Sequence, residues 1–378
     1  MRPFYLNGMM RALVMALVGI FTPIYIYEIA GIGWVIGYYL LMRIVVLFFA
    51  IPVSHIIEKI GFRRSIGISL VLLMICYGTL LGYQGEWWLL IISLVASGLN
   101  IPFYWLARSS AIAQDSETAH VGRQLGILTS VEAVATMLGP LSAGLIIEQW
   151  GFGVMYLAAI LILLASLVPL LSMPPHTHKN GASWEGFVRW IQSRRYFHNA
   201  IGIGARAVDD YGLNVLWPLA IFVLGVNTGT VGGIFTLSAL VALVVRLVMG
   251  RMFDRLHDRR DLSDEWVYGA AAGVNAILWL LRILAHSVGI IVGIDLMGAI
   301  FGTTYSSYYV DYEQLGGKRM GSIAYFVYGE MMYSIMAIWL FGMVAVGWYL
   351  GIWREVFMIL AAFWVLISII MARESNMK

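Results

Sequence analysis

The sequence predicts an all-α polytopic membrane protein with twelve transmembrane helices, arranged as two related six-helix bundles. The composition, the lengths of the apolar runs and an internal repeat each point to this fold class. Of the 378 residues, 61% are hydrophobic and 12% are charged, whereas soluble globular chains carry about 25% charged residues. Too little polar surface remains to cover a water-soluble body of this size, so we expect lipid to be part of the solvent.

Twelve apolar runs are long enough to be spans, because a helix needs about 20 apolar residues to cross the hydrocarbon core. The predicted spans of the N-terminal bundle, expected over 1–173, are 8–29, 33–56, 66–84, 87–108, 122–147 and 152–173. Those of the C-terminal bundle, expected over 196–378, are 197–224, 229–252, 266–285, 287–309, 320–346 and 351–372.

A polar cytoplasmic linker is expected between the bundles, over 174–195. Several of its apolar side chains would share one face of a helix, with arginines nearby: Trp184, Phe187, Val188, Trp190 and Ile191. The pattern predicts an amphipathic helix on the inner membrane surface. A plain linker anchored by its tryptophans is the alternative.

Basic residues cluster in alternate loops. If the N-terminus is cytoplasmic, most of the 24 Lys and Arg residues fall on the cytoplasmic side, and Arg354 is the only basic loop residue opposite. Cytoplasmic loops of membrane proteins carry this excess of positive charge. We therefore expect both termini inside, in a bacterial-type cytoplasmic (inner) membrane.

An internal repeat relates the two bundles. The segment Phe21-Thr22-Pro23 matches Leu216-Trp217-Pro218 at an offset of 195 residues, and Arg11 with Arg206 and Gly37 with Gly232 share that offset. The offset covers six helices, so the second bundle repeats the first in the same orientation. Parallel repeats of this kind are a transporter architecture, with the substrate site between the halves near the midplane.

The loops after spans 2 and 8 carry paired acids and arginines. The first runs from Ser54 to Arg64 and includes Glu58, Gly61 and Arg63, and the second runs from Gly250 to Arg260. They resemble the Gly-x-x-x-Asp-Arg/Lys-x-Gly-Arg-Arg/Lys pattern of the major facilitator superfamily. The resemblance implies the major facilitator fold and a gating loop that pins the halves together in one state. The predicted gating-loop residues are Glu58, Arg63, Arg64, Asp254, Arg255 and Arg259. The alternative is a generic cationic loop, which would explain the arginines but not the acids.

Span 5 contains a second motif, formed by small residues and a proline: Gly126, Gly139, Pro140 and Gly144. It is similar to the helix-5 motif of the drug–proton antiporter branch of the superfamily, which implies efflux. Small residues at these spacings let two helix backbones approach closely, and proline kinks the helix. A packing face without functional meaning is the alternative.

Charged side chains inside spans cost roughly 2.5–3.5 kcal/mol each at the midplane, so they usually have partners or face a cavity. In span 7, Arg206 is one helical turn from Asp210 and can pair with it, and Asp209 is also within reach. Glu132 and Glu330 lie in counterpart spans 5 and 11. Glu132 and Glu330 either bind coupling protons or form structural ion pairs with Arg43 and Arg246. The span 7 group either binds coupling protons or lies solvated at a helix end.

Aromatic side chains cluster in span 4, next to Arg108, which is a further candidate for proton coupling or substrate binding, and in span 10. In the superfamily that this sequence resembles, helices 1, 4, 7 and 10 line the cavity. Aromatic rings with a few polar tips suit an amphipathic ligand and can hold a cation. The predicted lining residues are Tyr104, Trp105, Tyr305, Tyr308 and Trp217, and lipid-interface anchoring is the alternative.

These features together favour a secondary active transporter that works by alternating access, with proton-coupled export of a small amphipathic compound as the preferred form. A facilitator, an importer or a mover of lipid-like molecules with the same fold is the alternative, as is a membrane receptor that does not transport. We expect a monomer with a small-molecule substrate, protons as coupling ion and the lipid bilayer as its partners. No nucleic-acid partner, cofactor, metal site or enzyme activity is expected, because no nucleotide-binding loop, metal-spaced cluster or nucleophile motif is found.

Overall fold

The structure is a computed structural model that describes residues 2–115, 121–172, 181–256, 263–303 and 323–376. Side chains are described in these ranges except at 2–5, 110–115, 121–132, 194–195, 249–256, 263–268 and 369–376. The N-terminal half contains α1 (Arg2–Val18), α2 (Thr22–Ala30), α3 (Ile32–Ile60), α4 (Phe62–Leu81), α5 (Trp87–Asp115) and α6 (Val121–Leu171). After the linker helix α7 (Trp184–Gln192), the C-terminal half contains α8 (Arg194–Tyr211), α9 (Trp217–Val223), α10 (Thr228–Leu256), α11 (Ser263–Leu281), α12 (Val288–Thr303), α13 (Ile323–Tyr349) and α14 (Trp353–Asn376).

Glycines in the left-handed region make the tight turns between neighbouring helices. Gly31 separates α2 from α3 with φ 81°, and Gly61 separates α3 from α4 with φ 80°. A Cβ atom makes this conformation costly, so glycine is the residue that adopts it routinely. Within α6, two helical arms meet at Gly151 (φ 82°, ψ 171°), which divides α6 into the predicted spans 5 and 6.

Spans 1 and 7 are interrupted at the same point of the internal repeat. In span 1, α1 ends at Val18 and α2 begins with Thr22-Pro23. In span 7, a π-helical turn (Gly212–Leu216) separates α8 from α9, which begins with Trp217-Pro218. Proline has no backbone N–H and its ring clashes with the preceding turn, so it breaks a continuous helix. The matching interruptions support the repeat.

Every predicted span coincides with helix in the described residues, to within several residues at its ends. Seven stretches of the described chain are long and apolar enough to cross a membrane: Leu6–Ala30, Ile32–Ile60, Phe62–Leu81, Trp87–Ser109, Ala133–Leu171, Thr228–Val248 and Ile323–Tyr349. Two further apolar helices, Gly269–Leu284 and Val288–Thr303, are shorter. The all-helical fold class is therefore confirmed, and the count of twelve crossings stays a prediction.

In the described residues, the main contacts between the two halves join four pairs of helices: α3 and α5 pack on α13, α6 packs on α10, and α2 packs on α9. Many of these contacts lie near the end where α2 meets α3, which we call the Gly31 side; the opposite end is the Gly61 side. On the Gly31 side, the rings of Tyr27 and Phe222 lie 6.3 Å apart. A Cβ atom on Gly33 would come within 2.8 Å of Trp348. The halves are thus in close contact on the Gly31 side.

Helix α7 lies in the predicted linker. Its buried residues, Phe187 and Trp190, are 6% and 3% exposed, and their rings pack against two tyrosines of α13, Tyr325 and Tyr328. Trp184 is exposed, and its ring lies 6.2 Å from that of Phe48 on α3. The linker helix therefore contacts both halves, while its position at the membrane surface stays a prediction.

Candidate functional site

An ion pair joins the two halves within the α3–α13 interface. Nη1 of Arg43, on α3, lies 2.7 Å from Oε1 of Glu330, on α13, and the two side chains are 8% and 17% exposed. At about 1.5 Å per residue, Arg43 lies about 18 Å along α3 from Gly31, near the middle of a hydrocarbon core of about 30 Å. Of the two roles that the sequence left open for Glu330, this conformation shows the ion pair.

Three more side chains of the C-terminal half contact the guanidinium of Arg43. Its Nε donates to the hydroxyl of Tyr211, and its Nη1 lies 3.4 Å from Oγ of Ser334. The guanidinium carbon lies 5.0 Å from the ring centre of Tyr211 and 4.7 Å from that of Tyr333, both within range of cation–π attraction. A single arginine of the N-terminal half is therefore surrounded by groups of the other half.

The contacts continue from Tyr333 into span 7. The Tyr333 hydroxyl donates to Oδ2 of Asp210 at 3.1 Å, and the same oxygen lies 3.3 Å from Nε of Arg206. The predicted pairing of Arg206 with Asp210 is therefore present. We call the connected set the interface network; its members are Arg43, Arg206, Asp210, Tyr211, Glu330, Tyr333 and Ser334.

Asp209 points away from the interface network. It is 6% exposed and accepts a hydrogen bond from Nε1 of Trp279, on α11, at 2.7 Å. Trp217 is 1% exposed, and its Nε1 donates to both carboxylate oxygens of Asp295 at 2.9 and 3.0 Å. Both residues thus lie inside the C-terminal half in this conformation, and the cavity-lining role of Trp217 stays a prediction.

A smaller polar group lies inside the N-terminal half. Nη1 of Arg11 donates to Oδ1 of Asn100 at 3.1 Å, and the Arg11 guanidinium lies 3.5 Å from the ring centre of Tyr104. Arg108 lies 5.2 Å from the ring centre of Trp105 and 6.0 Å from that of Tyr104. Tyr104 is buried and Trp105 is 45% exposed, so the two predicted lining residues differ in environment.

The helix-5 motif lies in the first arm of α6, where helices approach closely on two sides. A methyl group on Gly139 would overlap Ala16 of α1. A methyl group on Gly144 would lie 2.5 Å from the Thr228 carbonyl oxygen at the start of α10. In return, a methyl group on Gly232 of α10 would overlap the Pro140 carbonyl. The close approach expected from the small residues is therefore present, and part of it is between the halves.

Thr236 of α10 reaches into the backbone of α6 next to Pro140. Its hydroxyl accepts from the Leu141 N–H at 3.0 Å and donates to the Met137 carbonyl at 3.0 Å. In an uninterrupted α-helix, that N–H would bond that carbonyl, four residues earlier. Inserted side chains are a recognised cause of helix kinks. The backbone of α6 around Pro140 is thus stabilised by a residue from the other half.

The predicted gating loop between α3 and α4 contacts its own half. Oε2 of Glu58 lies 3.8 Å from Nδ1 of His55, one turn earlier on α3. Nη1 of Arg63 lies 3.4 Å from the Leu171 carbonyl at the end of α6, and Arg64 is exposed. Seven predicted site residues lie outside the described side chains: Gly126, Glu132, Asp254, Arg255, Arg259, Tyr305 and Tyr308.

Sequence reasoning missed four residues that the structure places in these contacts: Tyr211, Tyr333, Ser334 and Thr236. Tyr333 and Ser334 follow Glu330 by three and four positions, the spacing that puts them on its helix face. That signal was available once Glu330 was singled out. Thr236 has no comparable signal, because its partners are backbone groups of another helix.

The comparisons with known proteins agree with this architecture. The family model described as Major Facilitator Superfamily matches residues 4–340. The fold is similar to a solved structure described as a POT family transporter in complex with 5-aminolevulinic acid, with a TM-score of 0.68 and 14% identity over 99% of this chain and 95% of that chain. No curated protein matches the sequence. By the family match, which covers most of its length, the chain belongs to the Major Facilitator Superfamily of membrane transporters.

Proposed function

We propose that the protein is a proton-coupled secondary transporter that exports a small amphipathic compound by alternating access. The ion pair between Arg43 and Glu330 carries the proposal. It links the two halves through a group that can gain and lose a proton. A buried charge pair that loses one charge is strongly destabilised, because the remaining charge has no equivalent partner.

Proton binding to Glu330 couples to movement of the halves in the following way. In the ionised state, attraction between Glu330 and Arg43 favours contact between α13 and α3. Protonation makes Glu330 neutral, which lowers the free energy gained by keeping these helices together. The proton thus shifts a pre-existing equilibrium between two arrangements of the halves.

Asp210 provides a second carboxylate in the same interface network. It is linked to Arg43 through Tyr333 and is itself paired with Arg206 at 3.3 Å. The network therefore alternates acidic and basic groups from α8 through α13 to α3. A substrate carrying a positive charge can replace a proton on this network, which is the exchange that an antiporter needs.

The membrane arrangement is part of the proposal. Both termini lie in the cytoplasm of a bacterial-type cell, and a monomer works as two bundles, 1–173 and 196–378, joined by the linker 174–195. The Gly31 side then faces outward. The close α6–α10 contact on this side, together with the resemblance of the helix-5 motif to drug–proton antiporters, supports export.

The substrate class follows from the groups around Arg43. Tyr39 stacks on Phe341 with ring centres 5.5 Å apart, and Tyr211 lies 5.2 Å from Phe341. Aromatic surfaces beside carboxylates suit an amphipathic cation. The structural neighbour holds 5-aminolevulinic acid, so a small zwitterion belongs among the compounds to be tested.

The test uses inside-out vesicles with an acidic interior and a pH-sensitive dye. Amphipathic cations, lipophilic drugs and small zwitterionic metabolites are added outside, one at a time. We expect one class to collapse the pH gradient in vesicles containing the wild-type protein. A transporter that imports with protons would respond only when the compound is loaded inside the vesicles.

Two variants make this test specific. Glu330→Gln should abolish the response. Glu86→Gln, which alters an exposed carboxylate whose contact is the backbone of Gln84, should retain it. An equal response in Glu330→Gln vesicles would refute the role of Glu330. No response from the wild-type protein to any compound, in either loading arrangement, would refute proton coupling and favour facilitation.

A further inference from the structure

A second group of polar side chains is enclosed within the C-terminal half, separate from the interface network. It lies between span 7 and helices α11 and α12, and each member is at least nine-tenths buried. We call it the polar chamber; its members are Asp209, Trp217, Asn275, Trp279, Arg282 and Asp295.

Helices α11 and α12 present matching faces to the polar chamber. Asn275 and Trp279 on α11 are one turn apart, and Arg282 follows in the 3₁₀ turn at the end of that helix. On α12, Gly298 and Gly302 lie opposite. A Cβ atom on Gly298 would be 3.1 Å from Nη2 of Arg282, and one on Gly302 would be 3.6 Å from Oδ1 of Asn275. The glycines leave the space that these polar side chains occupy.

The charges of the polar chamber do not balance. Arg282 pairs with Asp295 at 3.1 Å, which leaves Asp209 without a cationic partner of its own. Asp209 is held by two neutral groups, the indole of Trp279 and the side-chain amide of Asn275. The adjacent Asp210 is compensated by Arg206.

Among the described residues, the helices packed around the polar chamber make no other ion pair with its two carboxylates. Arg354 and Glu355, at the start of α14, make none with them. From α14, the ring of Phe357 contacts Trp279, and the charged residue of α13, Glu330, is engaged by Arg43. With both carboxylates ionised, the polar chamber would carry one excess negative charge. An uncompensated charge at this depth is strongly unfavourable.

Unpartnered donors give a second, independent sign that the polar chamber holds a ligand. Nε and Nη1 of Arg282 are buried and have no hydrogen-bond partner among the described residues. Buried N–H groups are nearly always hydrogen-bonded to protein or to ordered water. These donors therefore require an oxygen atom that the described residues do not supply.

We propose that the polar chamber is a proton-binding site, which holds one proton on the carboxylates of Asp209 and Asp295 and water on the unpartnered donors. A hydronium ion that enters transfers its proton to a carboxylate and remains as the water. The bound proton removes the excess charge, and the water oxygen accepts from Arg282. The inference rests on the proposed function in one respect: the polar chamber would be a second store of coupling protons, apart from Glu330.

The test measures the proton itself, without substrate or gradient. Infrared spectra of the purified protein in lipid nanodiscs at neutral pH are compared for the wild type and for Asp209→Asn and Asp295→Asn. Each variant leaves one carboxylate for one arginine, so each should lose the C=O band of one protonated carboxylic acid. Asp210→Asn, which alters the neighbouring paired carboxylate, should retain the band.

Arg282→Gln tests whether the number of protonated carboxylates follows the charge of the polar chamber, because it should change the band in the opposite direction from the two Asp variants. It leaves two carboxylates without a cation, so the band of protonated carboxylic acid should double in intensity. The proposal is overturned if the band persists in either Asp209→Asn or Asp295→Asn. Loss of vesicle transport in Glu330→Gln with an unchanged band would leave the polar chamber intact, so the two proposals can fail separately.

Discussion

Arg43 shows what a buried charge requires of its surroundings. Its guanidinium contacts a carboxylate, two hydroxyls and two aromatic rings, all from the C-terminal half. Removing one partner of a buried ion pair costs about 3–5 kcal/mol, because the other charge stays behind. Replacing both partners costs less. The stability of the contact between the halves should therefore respond differently to single and double changes.

The first prediction is a double-mutant cycle at this pair. Glu330→Gln alone should lower the free energy of unfolding by about 3 kcal/mol, since Arg43 keeps its charge. Arg43→Gln combined with Glu330→Gln should lose less than the sum of the two single changes, with a coupling energy of about 1–3 kcal/mol. Equilibrium unfolding of the purified protein in detergent measures all three variants. If the losses of unfolding free energy in the two single variants added up to that of the double variant, the ion pair would make no net contribution to stability.

Residue spacing predicted the ion pair of Arg206 with Asp210 but not that of Arg43 with Glu330. Arg206 and Asp210 are four positions apart on one helix, so their pairing follows from helix geometry alone. Arg43 and Glu330 are separated by 287 positions. Their contact depends on how the two halves pack, and the sequence offered it only as one of two roles for Glu330.

At the scale of single helices, the α6–α10 contact depends on missing side-chain volume. Gly144 and Gly232 lie against backbone of the opposite half, so even a methyl group would force the helices apart. Small residues in membrane helices allow this close approach and the van der Waals contact that comes with it. The contact is therefore easy to weaken and gives a direct way to disturb the Gly31 side.

We expect Gly232→Ala to shift the protein toward an arrangement that is open on the Gly31 side. Spin labels at Gln149 and Leu224, in a Cys76→Ser background, report the distance between the halves there. The variant should give a longer mean distance. Gly233→Ala is the matched control, because a Cβ atom at Gly233 meets open space. The same distance distribution in Gly232→Ala and wild type would contradict the role of this contact.

Thr236→Val tests the inserted hydroxyl separately from helix spacing. Valine keeps the shape of threonine but removes the bonds to Leu141 and Met137, each worth about 0.5–1.5 kcal/mol. Amide hydrogen exchange in the peptide containing Leu141 should accelerate by up to about tenfold, because 1.4 kcal/mol corresponds to a factor of 10. Thr136→Val should leave it unchanged, since that hydroxyl bonds within its own turn. Unchanged exchange in Thr236→Val would mean that the hydroxyl does not hold this backbone.

Helix positions were predictable from sequence, and helix interruptions were predictable only in part. Long apolar runs bounded by Gly31, Gly61 and Gly151 have a strong local signal, so the spans match the helices. The prolines after Thr22 and Trp217 mark where spans 1 and 7 break. The π-helical turn before Trp217 could not be foreseen, because such turns depend on the packing around the helix as well as on its own residues.

At the scale of the whole molecule, the structure shows two helical halves in contact from the Gly31 side to the middle of the bundle. The deepest of these contacts is the interface network, and the outermost are those of α6 with α10 and of Gly33 with Trp348. Alternating access requires that such contacts separate as a group while others form on the opposite side. Protonation of Glu330, which weakens the deepest contact, is therefore expected to affect all of the contacts between the halves.

The most direct test of this account measures both sides of the molecule in the same samples. One pair of spin labels, at Gln149 and Leu224, reports the Gly31 side, and a second pair, at Leu171 and Phe197, reports the Gly61 side. In the wild type, acidification should lengthen the first distance and shorten the second, because protonated Glu330 no longer attracts Arg43. Glu330→Gln should show the acidic distances at every pH. Proton-driven alternating access would be contradicted if neither distance changed with pH or with this substitution, or if both distances changed in the same direction.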